Sequence, residues 1–191
     1  MKGGEMGKDR ILIVDDELGI LSSLKKVLEE ENREIITAES AEKAWQVLKE
    51  KGEVGVIICD QRLPNMNGVD FLVKVKRLYP DTIRILVTGY PELSTAVEAI
   101  NKAHIWRYIL KPIEVESLKI LVKQAFDYYR ILKENRLLLK IVRQQDYWLR
   151  NIKSKYPQIG KETKKANFGL DEKKISDTIE EFMKKYNLKD E

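Results

Sequence analysis

Three carboxylates, a hydroxyl and an amine, widely separated along the chain, are the groups best placed for chemistry: Asp15-Asp16, Asp60, Thr88 and Lys111. Each follows a short apolar run. Ile11-Leu12-Ile13-Val14 leads into the paired acids, Val56-Ile57-Ile58-Cys59 into Asp60, Ile83 to Val87 into Thr88, and Trp106 to Leu110 into Lys111. If these runs are parallel strands, all five side chains reach one rim of a sheet, the edge where open α/β sheets place their sites. Three carboxylates held close repel one another unless protons or a cation intervene. Hard oxygen donors in a small cluster suit Mg²⁺, which binds at about 2.0–2.1 Å and keeps several waters. An ammonium and a hydroxyl facing that metal make a place for a phosphoryl group. No His, Cys or Ser is positioned as a rival nucleophile, so Asp60 is the candidate acceptor, because carboxylates can form aspartyl phosphates. The plainer alternative is a set of solvated loop acids, a strand-end threonine and a surface lysine.

The elements that must deliver these groups can be read from periodicity. The stretch from Val56 is continuously apolar, as a strand buried on both sheet faces is. Between the strands, Leu21, Leu24 and Leu28 with Val27 beside them give a helical stripe over Glu17 to Glu31, with Ile20 at its edge. Ile35 to Ala38 reads as a second strand. Ser40 is placed to cap a helix through Lys51 whose inner face is Ala41, Ala44, Val47 and Leu48. Gly68 to Tyr79 is a third helix, stopping before Pro80. Pro91 suits the first turn of a fourth, running to about Asn101. Strand and helix alternate five times, which predicts α/β architecture: a five-stranded, doubly wound parallel sheet with right-handed crossovers.

Composition bounds what else the chain can be. Its 191 residues leave room for one ordinary domain and an extension. No apolar run approaches the length of a membrane span, and Met1 to Glu5 lacks the apolar core of a signal peptide. The single cysteine, Cys59, falls in a buried strand, predicting a reduced thiol in the cytoplasm and a poor nucleophile. Residues 1–112 carry 17 Lys+Arg against 18 Asp+Glu, while residues 113–191 carry 18 against 13. The two parts are built differently.

With these residues in place, the stretch 9–125 resembles a response-regulator receiver domain of two-component signalling, of the flavodoxin-like, CheY-like superfamily. The resemblance rests on Asp15-Asp16 after the first strand, Asp60 after the third and Pro64 and Gly68 in the next loop. Thr88-Gly89, Tyr108 and Lys111-Pro112 complete it. It implies that Asp60 accepts a phosphoryl group from a phosphohistidine of a sensor histidine kinase. It assigns Mg²⁺ to the carboxylates of Asp16 and Asp60 and the backbone carbonyl of Arg62, with Asp15 acting largely through water. Thr88 and Lys111 would each bind a phosphoryl oxygen. Thr88 and Tyr108 would be the switch pair, acting on the face made by the fourth helix, fifth strand and fifth helix. Arg62 and Tyr90 stand where relatives tune dephosphorylation, Ile20 and Pro112 where they meet the kinase, and a cis Lys111–Pro112 bond is expected. Such a protein is a phosphoacceptor and not an enzyme, although it promotes its own phosphorylation and dephosphorylation.

The chain does not stop where a receiver does. No Gly or Pro occurs between Glu114 and Pro157, so the fifth helix is predicted over 114–151. Leu118, Leu121, Ala125, Tyr128, Leu132, Asn135, Leu139, Val142, Asp146 and Leu149 recur at coiled-coil spacing, which predicts a homodimer seam with Asn135 fixing register. A helix packed on the chain's own C-terminal segment is the alternative. Residues 1–8 read as a flexible N-terminus, 152–170 as a basic linker and 171–191 as a last helix with Ile175, Ile179, Phe182 and Met183 in its stripe. The segment around Ile105 to Arg136 resembles receivers that precede metal-dependent phosphohydrolase domains, and residues 137–191 are not expected to form such a domain. Three outputs fit: a phosphorylation-controlled protein that dimerises and signals to a protein partner, a transcriptional regulator whose basic Lys153–Lys165 segment touches DNA, or a phosphate relay with no output.

Overall fold

Five strands form one sheet in the order β2-β1-β3-β4-β5, every neighbouring pair parallel. They are β1 (Asp9–Val14), β2 (Arg33–Ala38), β3 (Val56–Asp60), β4 (Ile83–Thr88) and β5 (Arg107–Leu110). The helices between them are α1 (Leu18–Val27), α2 (Ala41–Lys51) and α3 (Gly68–Leu78), and a long α4 (Val115–Lys155) follows β5. The computed structural model describes residues 8–89, 97 and 99–155, without the side chains of 149, 152 and 153. By its internal contacts the chain divides into Met1–Lys133 and Glu134–Glu191.

Alternation along the strands builds two cores. Leu12, Val14, Ile57, Cys59 and Leu86 face α2 and α3, meeting Leu48, Phe71 and Leu72, all fully or nearly fully buried. Ile11, Ile13, Ile58, Ile85 and Val87 face the other way, against Leu21 and Leu24 of α1 and Leu118, Val122 and Phe126 of α4. The period-two pattern therefore decides which helices lie on which face. This is the doubly wound, flavodoxin-like arrangement predicted above.

Local signals act as expected at several ends. Ser40 Oγ accepts from the Lys43 amide, and Asn67 Oδ1 accepts from the Val69 amide at 2.8 Å, capping α2 and α3. Elsewhere the boundaries move. α1 ends at Val27 rather than near Glu31, because Leu28 turns into the core and serves as C-cap. β5 begins at Arg107, one residue late, because the Trp106 amide is taken by the Arg84 carbonyl at 2.7 Å. The fourth predicted helix is described only at its end, where Ala99–Ala103 forms a π-helical turn.

Helix α4 continues to Lys155, past the predicted Asn151. Leu118 and Ala125 are buried against the sheet, with Leu121 and Leu132 packed beside them. The first half of the predicted coiled-coil seam is therefore used within this chain, because its apolar stripe covers the sheet face that α1 leaves open. Arg130 binds Asp9 at 3.1 Å and Lys133 binds Glu53 at 2.5 Å, tying the helix to the first residue of β1 and to the segment that leads into β3. Beyond Lys133, Leu137, Leu138, Ile141 and Trp148 are exposed. No described helix is long and apolar enough to cross a membrane. The readings for residues 1–7, Tyr90, most of the linker and the last helix lie outside the described residues.

Candidate functional site

The strand order reverses direction at β1, so β2 lies on one side of it and β3 on the other. A crevice opens at the carboxyl ends of such a pair. Register places Val14 opposite Cys59, so the next residues, Asp15 and Asp60, emerge side by side. Asp60 in turn pairs with Val87, one residue before Thr88, and Thr88 pairs with Leu110, one residue before Lys111. Parallel register thus brings the strand tips at Asp15, Asp60, Thr88 and Lys111 level along one rim.

The side chains then close on one another. Lys111 Nζ lies 2.7 Å from Asp60 Oδ1 and 2.9 Å from Asp15 Oδ2, bridging the two acids. Glu17 Oε1 stands 3.7 Å from the same ammonium, a contact with no sequence signal beyond its place after the acid pair. Asp60 Oδ2 accepts from the Arg62 amide at 2.5 Å, and Asp15 Oδ1 from the Glu17 amide at 2.9 Å. Asp60 and Asp15 are only 7% and 3% exposed, and Thr88 1%. The Lys111 amide donates to the Thr88 carbonyl at 2.8 Å, and the Lys111–Pro112 bond is cis, as expected.

Burial raises the Asp15 carboxyl from its ordinary value, opposed by the Glu17 amide and Lys111. Burial also pulls on Lys111, but its hydrogen bonds to Asp60 and Asp15 hold the ammonium above its ordinary value. The Cys59 thiol is pushed well up by burial and donates to the Asp60 carbonyl at 3.2 Å, which removes it as a nucleophile.

Two buried carboxylates against one ammonium leave a net negative charge made of hard oxygen donors. That donor set fits Mg²⁺, which takes one or two carboxylates, substrate phosphate and water rather than an all-protein cage. Among the described residues no group of three or more acidic, imidazole or thiol side chains gathers around a common metal position. Asp16 is exposed beside the site, and Asp60 is joined by Arg62 through its amide. Tyr108 packs partly against the α2–α3 core, with its hydroxyl buried and without a hydrogen-bond partner.

Asp15→Asn removes the buried anion that folding disfavours. Asp60 at 2.7 Å keeps Lys111 paired in the variant, so we expect a net gain in stability at neutral pH, measured by urea unfolding in a chelator. An acid whose folded pKa is raised carries its destabilisation above that pKa and loses it below. The gain of the variant over the parent should therefore shrink as pH falls through the Asp15 pKa.

The loop after Asp60 explains one further residue. Gly68 donates its amide to the Gln61 carbonyl at 2.8 Å, and a Cβ there would lie 2.1 Å from the Asp60 carbonyl oxygen. A sequence reading sees a helix-start glycine and not this close approach.

A sequence model described as "Response regulator receiver domain" matches residues 11–123. The chain is 40% identical over 125 residues to the hydrogenase transcriptional regulatory protein HoxA of Bradyrhizobium diazoefficiens, covering 65% of this chain and 25% of that protein's length. Among solved structures, it resembles the signal receiver domain of an HD domain-containing protein from Pseudomonas fluorescens, at 34% identity and TM-score 0.62. That match covers 64% of this chain and 98% of the other. It also resembles the beryllofluoride-activated NtrC4 receiver domain dimer, at 38% identity and TM-score 0.59, covering 63% and 98%.

Proposed function

Because this chain belongs to the response regulator receiver domain family, we propose that it receives a signal as a phosphoryl group on Asp60, delivered from the phosphohistidine of a sensor kinase in the cytoplasm. The observation that carries this reading is the Lys111 ammonium held at 2.7 Å from Asp60 and 2.9 Å from Asp15 on a buried rim. An Asp60 oxygen attacks phosphorus, the P–N bond to the imidazole breaks, and its electron pair stays on the departing nitrogen. The attacking group is already an anion, so no general base is required. Lys111 moves its charge to a phosphoryl oxygen and Thr88 donates its hydroxyl to another. Such a site works by placing groups and neutralising charge.

Asp15, Asp16, Asp60 and the Arg62 carbonyl are the groups that would hold Mg²⁺. When bound, the ion supplies charge neutralisation at the phosphoryl oxygens. The phosphoryl group remains on the protein that took it up, so the chain acts as acceptor and not as an enzyme in the ordinary sense. Acetyl phosphate should label the wild-type chain only with Mg²⁺ present, and Asp60→Asn should take no label. Label retained on that variant moves the acceptor elsewhere.

Phosphorylation adds charge at the rim and biases an existing equilibrium around Thr88 and Tyr108. The response is dimerisation or binding of a protein partner, through the face that includes β5 and the start of α4 or, separately, through the stretch of α4 after Lys133. Exposed Leu138, Ile141 and Trp148 support a contact there, and a related receiver is described as a dimer in its activated form. Light scattering on the labelled chain should give a dimer, and truncation after Lys133 should give a monomer. A second reading is favoured by the transcriptional regulator among the relatives. In it the basic segment Lys153–Lys165 contacts DNA, and affinity falls steeply with salt.

A further inference from the structure

β5 has an exacting task and little to hold it. It is the edge strand, four residues long and paired on one side only, yet the residue after it must bring Lys111 to within 2.7 Å of Asp60. Sliding by one residue would move the strand by about 3.3 Å and reverse the face each side chain points to. Four ladder pairs on an edge resist such a slip weakly.

Arg84 lies one third of the way along β4 and is 8% exposed, a cation within an otherwise apolar run. Its guanidinium holds the connection into β5: Nε donates to the Ala103 carbonyl at 2.9 Å and Nη2 to the His104 carbonyl at 3.2 Å. Nη1 donates to the Thr82 carbonyl at 2.6 Å and to that of Pro80 at 3.3 Å, anchoring the head group to the turn before its own strand. The Arg84 carbonyl accepts the Trp106 amide at 2.7 Å. At the far end of the same strand, the Thr88 carbonyl accepts the Lys111 amide at 2.8 Å. β4 therefore grips β5 at entry and exit. His104, held at a positive φ of 45°, sits at the point where the gripped connection turns.

We infer that Arg84 is a positioning residue for Lys111, its fork of donors fixing the register in which the edge strand carries the amine to the acid rim. A planar guanidinium can satisfy several carbonyls at once, and neither an ammonium nor an apolar side chain of equal length can do so. The inference rests on the phosphoacceptor reading, but its first measurement does not.

The test compares wild type, Arg84→Met, Arg84→Lys, Lys111→Met and the Arg84→Met/Lys111→Met pair, at a temperature where circular dichroism shows each fully folded. Amide exchange in β5 and at Lys111 should quicken roughly tenfold or more in Arg84→Met, with β1 and β3 unchanged and Arg84→Lys intermediate. Labelling by acetyl phosphate should fall about tenfold or more in Arg84→Met, and the double variant should be no slower than Lys111→Met alone. Unaltered exchange in β5, or losses that multiply in the double variant, would overturn the inference. If wild type takes no label, the phosphoacceptor reading fails, and the exchange measurement still decides the role of Arg84.

Discussion

Gly68→Ala should cost about 3 kcal/mol or more, the upper end of what an overpacked site sustains. Ordinarily the exchange would help, because alanine in a helix is worth about 1 kcal/mol over glycine. Here the added methyl would sit 2.1 Å from the Asp60 carbonyl oxygen and 3.1 Å from Cys59 Sγ, both in a packed core. Neither neighbour is the loose end of a flexible side chain. Relief requires α3 to retreat or the tip of β3 to bend, and either motion displaces Asp60. Against a total stability of about 5–15 kcal/mol this is a large fraction. The urea midpoint should drop sharply and labelling should fall with it. Gly19→Ala is the matched control: it lies in α1 with nothing within 4 Å of the added carbon, so it should be neutral or mildly stabilising. Equal midpoints for the two variants would show that the close approach carries no strain.

Lys111→Met should lower the rate of acetyl phosphate labelling by roughly 10²–10³, the usual loss when a preorganised charge is removed from a buried site. The same change should strengthen divalent-cation binding. With the ammonium gone, Asp15 and Asp60 face each other uncompensated, and the rim gains a full negative charge. Tighter Mg²⁺ with slower transfer is a split that simple damage to the fold would not produce. Calorimetric titration with MgCl₂ measures one arm and the labelling time course the other. Weaker binding in both arms would mean that Lys111 supports the acids structurally and does not compete with the metal.

How much of this could be read from residue order depends on the kind of signal each part sends. β3 and β4 were legible to the residue, because an apolar run ending on a polar group marks both the strand and its tip. The rim followed, since parallel register brings strand ends level and Asp15, Asp60, Thr88 and Lys111 are all strand ends. α2 was legible through Ser40, whose cap is a local hydrogen bond. Features set by contacts between distant segments were not. Arg84 sends a signal, a cation inside an apolar strand, but its four carbonyl partners come from turns that no local pattern predicts. The shortening of α1 depends on Leu28 reaching the core, and the half-used seam of α4 depends on a sheet face that periodicity cannot supply. A heptad pattern states that one side of a helix is apolar and leaves open what covers it.

The sheet order also separates what can be altered from what cannot. Every group at the acid rim is supplied by β1, β3, β4 or β5, and β2 at the opposite edge contributes none. The turn entering β2, residues 29–32, is exposed throughout. A fluorescent tag or an affinity handle inserted there would enter the molecule on the side remote from β5, which makes that turn the natural attachment point for a reporter that leaves the receiving chemistry undisturbed.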